Sequence, residues 1–247
     1  MEYFGLTDVG SVRELNEDTY LIKEYGDALL LAVFDGMGGA KAGETASAMA
    51  RDEVEKYFDG FFREGGRTEP AAIQAALASA ADRANFKIFS LATSDAAFEG
   101  MGTTMVAALW IRDKVYVAHV GDSRAYLLDK DGALQITRDH SFVQYLVDIG
   151  KLTPEEAKNS TKKNIITRAV GVDKEVSVDV SVLEKKQYKG KTLLLCSDGL
   201  SGYLDAPALT ALNREIPDSA ALCEKLIAEA NALGGSDNIT VAVAKLK

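Results

Sequence analysis

Cysteine is scarce, with Cys196 and Cys223 the only two among 247 residues. They form neither an even, spaced framework nor a CxxC pair, which argues against a disulfide scaffold or thiolate zinc site and leaves two reduced, buried thiols as the expectation. Histidine is as scarce, at His119 and His140. No apolar run exceeds seven residues, far short of the roughly 20 that a membrane helix needs. Residues 1–10 lack the basic start and apolar stretch of a secretory signal, so a cytoplasmic protein is expected. Positive charge is in deficit, 28 Lys and Arg against 37 Asp and Glu, for a net charge of −9. A broad nucleic-acid surface needs clustered cations. Neither a nucleic-acid nor a membrane partner is therefore expected.

The chain does hold enough apolar residues, 47% of the total, to bury one substantial core, and a single domain over 1–247 is expected. Tyr3 to Val9, Thr19 to Tyr25 and Ala28 to Phe34 read as strands, with Gly26-Asp27 as a hairpin turn. Lys41 to Phe62 and Pro70 to Ala92 are alanine-rich with apolar residues three and four apart, as two helices require. A meander follows over Thr103 to Ile111, Lys114 to Gly121 and Arg124 to Asp129. Val176, Val178, Val180 and Val182 alternate in a further strand; Thr192 to Cys196, a helix from Ser219 to Leu233 and a strand from Ile239 to Ala244 complete the pattern. Many antiparallel strands with helices grouped outside them predict an α+β fold in which two sheets form a sandwich covered by helices. Asp139 to Gly171 stands apart as a small helical insertion on the surface, with a helix start at Thr153-Pro154-Glu155-Glu156.

Aspartates recur where strands end. They occur in Asp35-Gly36, Gly121-Asp122-Ser123, Ser197-Asp198-Gly199 and Ser236-Asp237-Asn238. One such pair is ordinary turn chemistry. Asp35, however, closes the run ALLLAVF and is followed by glycine at three of the next four positions, and Asp198 follows TLLLC. A lone charge at the mouth of a buried strand is costly unless paired or bound to metal. In a two-sheet sandwich these ends can converge on one edge, and oxygen-only ligands there select Mg²⁺ or Mn²⁺ over zinc. The Gly36 carbonyl, with no side chain to obstruct it, suits the same role.

Other phosphate chemistries fail on the same residues. GMGGAKAGE lacks the Gly-Lys-Ser/Thr ending of a nucleoside-triphosphate loop, and Lys41 stands where a third dinucleotide-fingerprint glycine belongs. A cysteine-based phosphatase needs arginine six residues after its nucleophile, where this chain has Gly202 and Glu229. Two histidines are too few for a His-rich binuclear phosphoesterase. Asp129-Lys130-Asp131-Gly132 lacks the remaining ligands of a calcium loop and reads as a hairpin turn.

Seven segments, in order across almost the whole chain, resemble the metal-dependent serine/threonine protein phosphatases (PPM, type 2C) in their compact bacterial form. They are Val12 to Asp18, Val33 to Gly39 with Gly43-Glu44, Met101 to Thr104, His119 to Arg124, Asp139 to Ser141, Cys196 to Leu200 and Gly235 to Thr240. The resemblance implies a four-layer α-β-β-α sandwich with a two-metal Mn²⁺ or Mg²⁺ centre at one edge. It implies Asp35 as the carboxylate bridging both metals, the Gly36 carbonyl as a ligand of one, and Asp198 and Asp237 as ligands of the other. Glu17 and Asp18 resemble the acidic pair that holds or orients the second metal's waters, with the direct ligand of the two left open; Asp18 is taken as the ligand and Glu17 as its support. Asp122 matches a position that helps Asp198 hold a weaker third metal. Arg13 resembles the arginine that binds substrate phosphate, Asn238 is expected to orient Asp237, and 139–171 matches a flap beside the cleft.

The implied reaction is hydrolysis of phosphoserine and phosphothreonine by direct attack of a metal-bridging water, with Arg13 and Asp35 as catalytic residues and no covalent intermediate. The chain departs from its relatives in carrying Met37 and Ala40 where many have histidine, so a metal-bound water is the expected acid. His119 is expected to be packed and His140 to cap or pack. The expected partners are phosphoproteins, a serine/threonine kinase among them, and the expected state is a monomer. Two alternatives stay open: a catalytically weak member acting as a phosphoprotein-binding regulatory module, and a metal hydrolase for nucleotides or small phosphometabolites.

Overall fold

The computed structural model describes residues 1–38, 42–66 and 68–247. Gly39, Ala40 and Lys41, which end the glycine loop and begin the expected first helix, lie outside the described residues. Among the described residues, eleven strands and eight α-helices follow one another as β1 (Glu2–Asp8), β2 (Asp18–Tyr25), β3 (Ala28–Met37), α1 (Ala42–Arg63), α2 (Pro70–Ser94), β4 (Gly102–Thr103), β5 (Met105–Ile111), β6 (Lys114–Val120), β7 (Arg124–Leu128) and β8 (Ala133–Gln135). Then come α3 (Phe142–Asp148), α4 (Pro154–Lys158), β9 (Asp179–Glu184), α5 (Lys185–Tyr188), β10 (Thr192–Cys196), α6 (Asp198–Ser201), α7 (Ala206–Glu215), α8 (Ser219–Ala232) and β11 (Ile239–Lys245).

One antiparallel sheet runs β1-β11-β10-β7-β8 and the other β2-β3-β5-β6-β9, with β4 joined to β3. Alternation along β3 explains the layers. Leu29, Leu31 and Val33 point between the sheets, where they meet Leu193, Leu195, Ala242 and Ala244. Leu30, Ala32 and Phe34 point outward into the alanine-rich faces of α1 and α2 through Ala46, Ala50, Ala80 and Ala84. On the other outer face, Leu194, Cys196, Val241 and Val243 pack against Leu222, Cys223, Leu226 and Ala230. Strands buried on both faces read as continuous apolar runs, and small helix residues let the layers approach closely. The architecture is the expected four-layer sandwich.

Beyond shifts of one or two residues at other element ends, three boundaries differ from the sequence reading. β3 does not stop at Asp35 but continues to Met37, because Gly36 and Met37 pair with Thr103 and Gly102 of β4. The expected strand from Thr103 is interrupted at Thr104, whose N–H turns to the Asp35 carbonyl at 2.8 Å. Of the alternating valines, Val176 and Val178 precede β9, since the β6 partner ends in register at His119 opposite Asp179; both still pack on the α1/α2 core. The insertion holds α3, capped by Ser141, and α4, whose capping box between Thr153 and Glu156 is as expected. No helix among the described residues is long and apolar enough to cross a membrane.

Candidate metal centre

Antiparallel pairing brings the charged strand ends to one edge. Asp18 at the start of β2 stands opposite Asp35 near the end of β3. Asp122 lies in the β6–β7 turn, Asp198 opens α6 one residue beyond β10, and Asp237 lies just before β11. The charges of Asp18, Asp198, Asp122 and Asp237 all reach Asp35. Five carboxylates from both sheets thus gather at one edge of the sandwich, Asp122 and Asp198 among them lining its cleft.

The cleft is electrostatically unfavourable to them. Burial, and then repulsion from Asp18, Asp198, Asp122 and Asp237, pushes the Asp35 carboxyl well above its usual range. Burial likewise raises Asp18 to about 7, although the Ser197 and Thr240 hydroxyls favour its charged form. Asp122 reaches about 7 through burial and the charges of Asp198 and Asp139. Asp198 is raised by burial and by Asp237, against a hydrogen bond from Asp35. Like charges crowded at low dielectric cannot all ionise unless a cation joins them.

The donor set fits divalent cations. Asp18 Oδ2 is buried without a hydrogen-bond partner, a state that native proteins seldom leave uncompensated. All the candidate donors are oxygens, which suits Mg²⁺ and Mn²⁺. Gly36 sits where no side chain fits, since a Cβ would lie 2.2 Å from the Gly43 carbonyl oxygen and 2.5 Å from that of Glu17. The glycine is therefore required by the close crossing of three backbone segments as well as by carbonyl access. Glu17 accepts a hydrogen bond from the Gly43 N–H in the first turn of α1, and burial outweighs the Arg13 charge in raising its pKa.

Arg13 is exposed at the rim. Its guanidinium donates to Asp237 Oδ2 at 2.9 Å and to the Ser236 carbonyl at 3.4 Å. Asn238 acts differently from the expectation. Its side-chain oxygen accepts from the Glu17 N–H, and its amide donates to the carbonyls of Val9 and Leu15, each at 2.9 Å. Asp237 is met by the Asn238 backbone N–H instead. The side chain thus staples the loop carrying Arg13 and Glu17 to the start of β11.

Several supporting groups escaped the sequence reading. The Asp35 N–H donates to Thr104 Oγ1 at 3.1 Å, and the Thr103 hydroxyl donates to the Asp35 carbonyl at 2.9 Å. Thr104 Oγ1 also lies 2.7 Å from Ser123 Oγ. The turn carrying Asp122 and the strand carrying Asp35 are therefore joined by buried hydroxyls. The matching segment Met101 to Thr104 contained the signal, but no one-dimensional pattern shows what the hydroxyls reach. The two cysteines are free and buried, and burial pushes both thiols up to about 12, which removes them as nucleophiles.

A cleft of about 750 Å³ continues from Asp122 and Asp198 beneath the 139–171 insertion, lined by Val143, Ala157, Tyr203 and Asp205 among others. Over residues 11–233 the chain matches the family model for protein phosphatase 2C. The chain belongs to the protein phosphatase 2C family. It is 38% identical to the serine/threonine phosphatase stp of Listeria innocua over 95% of this chain and 92% of that protein. The crystal structure of serine/threonine phosphatase Stp1 from Staphylococcus aureus superposes with a TM-score of 0.92 at 36% identity, covering 100% of this chain and 95% of that one. The catalytic domain of serine threonine protein phosphatase PstP, solved with 2 manganese ions, gives a TM-score of 0.84 at 35% identity, covering 100% and 98%.

Proposed function

We propose that this phosphatase 2C chain acts as one catalytic domain that hydrolyses phosphoserine and phosphothreonine in proteins, a serine/threonine kinase among them. The observation that carries the reading is the convergence of Asp18, Asp35, Asp122, Asp198 and Asp237 on one sandwich edge, where their charges oppose one another. Asp35 would serve both of two divalent cations, with Gly36 completing one and Asp198 and Asp237 the other; Asp18 would serve on the Glu17 side, and Asp122 with Asp198 would take a weaker third. When bound, such ions acidify a water and neutralise phosphoryl oxygens.

The chain's own residues supply the rest. Arg13 stands at the rim with a two-pronged donor that matches two phosphate oxygens, and Asp237 holds it beside the carboxylates. Asn238 fixes the loop behind Arg13, so phosphate is oriented by a braced side chain. Neither thiol can attack, and His140 is buried with both ring nitrogens engaged, which supports direct hydrolysis by water without a covalent intermediate. The groove under the insertion offers a path for peptide on either side of the phosphorylated residue. A monomer in the cytoplasm is sufficient for this chemistry.

The test is hydrolysis of a phosphothreonine peptide by chelator-stripped protein, titrated with Mn²⁺ and Mg²⁺, beside Asp35→Asn and Asp198→Asn. Metal restores turnover in the unsubstituted protein, and Asp35→Asn lowers it by more than about 10³-fold. Full activity of Asp35→Asn at saturating Mn²⁺ would contradict the proposal. Faster turnover of free nucleotides than of the peptide would replace the substrate class.

A further inference from the structure

Outside the carboxylate cluster, His119 and His140 are two buried imidazoles that this chemistry leaves unused. Their rings stack with centroids 4.5 Å apart and 17° between planes. Together with Asp179 they place three ligand-type atoms within 4.8 Å of one another, yet this is no cation site. Arg168 Nη1 lies 2.9 Å from Asp179 Oδ1 and 3.1 Å from His140 Nε2, so a guanidinium already supplies the positive charge. The His119 ring is engaged too, with Nε2 2.8 Å from the Arg138 carbonyl.

The contacts of His140 point elsewhere. Its backbone N–H donates to the Gly121 carbonyl at 2.9 Å, and its Nδ1 accepts the Gly121 N–H at 3.1 Å. Because the Gly121 N–H can only donate, Nδ1 accepts and the ring proton sits on Nε2, facing Asp179 Oδ2 at 3.3 Å, so Arg168 Nη1 is a neighbour of Nε2 and its hydrogen bond goes to Asp179. Both polar groups of Gly121 thus end on one residue. On the opposite side, a Cβ at Gly121, where φ is +102°, would lie 2.6 Å from Thr104 Cγ2. Gly121 is held between Thr104 and His140, and the next residue is Asp122. His140 also sits where the two ends of the insertion meet, for its carbonyl accepts the Thr167 N–H at 2.8 Å.

We propose that His140 is a positioning residue for Asp122: from the root of the insertion it fixes Gly121 and thereby sets where the Asp122 carboxylate lies in the cluster. The inference rests on the reading that Asp122 holds a divalent cation. An outer residue that orients a ligand without touching the metal typically carries a 10- to 100-fold share of metal affinity. The operative contact is acceptance at Nδ1, so a side chain that keeps an acceptor there keeps the function.

The experiment compares His140→Ala, His140→Asn and His140→Gln with Asp122→Asn in the full chain. Mn²⁺ affinity at the weakest resolved step is measured from free-ion electron paramagnetic resonance, and exchange of the Gly121 amide is followed in metal-free protein. Asp122→Asn weakens the last Mn²⁺, and His140→Ala weakens it by about tenfold while Gly121 exchange accelerates. His140→Asn, whose Oδ1 falls where Nδ1 was, restores both to within about threefold of the unsubstituted protein. His140→Gln fills the space but cannot place that acceptor, so it behaves like alanine and serves if His140→Ala does not fold. Unchanged Mn²⁺ affinity in His140→Ala or His140→Gln, with Asp122→Asn impaired, overturns the positioning role. Equal loss in the asparagine and alanine variants overturns the Nδ1 contact. An unimpaired Asp122→Asn overturns the assignment of Asp122 itself and the proposal with it.

Discussion

The sandwich edge and the root of the insertion are both crowded with charge, and they treat it in opposite ways. At the root Arg124 pairs with Asp139 and Arg168 with Asp179. Arg124 donates to both oxygens of Asp139 and to Tyr126, and Gln135 adds a further bond to Asp139. Burial opposes the Arg124 charge, and Asp139 more than restores it. Asp179 is shared between Arg168 and His140. At the edge, five carboxylates face one another with a single guanidinium, Arg13, on the outermost of them, Asp237, and Asp18 Oδ2 has no partner at all. Internally compensated charge is a structural device, while uncompensated like charge is a sign of a ligand that the chain is built to receive.

The two regions should therefore answer substitution with opposite signs. The largest expected effect is at the compensated site. Arg124→Ala strands Asp139, whose side chain is 10% exposed, and lowers unfolding stability in urea by about 3 kcal/mol. A change near zero would remove the distinction between the regions.

The smaller effect runs the other way. Removing one repelled carboxylate by Asp35→Asn stabilises the metal-free protein by on the order of 1 kcal/mol near neutral pH, even as it destroys activity. The pH dependence sharpens the contrast. A carboxyl whose pKa is raised on folding contributes stability below its unfolded value of 3.8, and loses it as pH rises through its folded value. Asp18 and Asp122, both at about 7, act in the same direction. Metal-free unsubstituted protein therefore loses stability between about pH 4 and 7, and the curve for Asp35→Asn meets it at the acid end and lies above it at neutral pH. Thermal unfolding across that range checks the divergence; parallel curves would show that the Asp35 charge is already compensated.

Much of this was legible in the sequence because burial writes a strong pattern. ALLLAVF and TLLLC could only be strands buried on both faces, and the aspartates after them were visible as charge in the wrong place. The alanine-rich helices and the Thr153 capping box followed from spacing alone. What escaped was set by tertiary pairing. Extension of β3 to Met37 depends on two residues of β4, and α7, with its cap at Asp205 and Leu209 as its one fully buried residue, carried too short an apolar pattern to stand out. The Asn238 side chain could be placed near Asp237 by adjacency, but its bonds to Val9, Leu15 and Glu17 span more than two hundred residues of sequence. The link from His140 to Gly121 spans only 19 residues but was hidden as well, since neither residue type announces its partner.

The most direct test of the central claim, that strand-end carboxylates gather divalent cations, is the number and affinity of Mn²⁺ ions bound by chelator-stripped protein and by Asp35→Asn at neutral pH. Two tighter ions and one weaker ion in the unsubstituted protein, with affinity for the tighter pair reduced at least about tenfold by the substitution, is the result predicted here. Equal binding by both proteins, or none by either while folded, would contradict it.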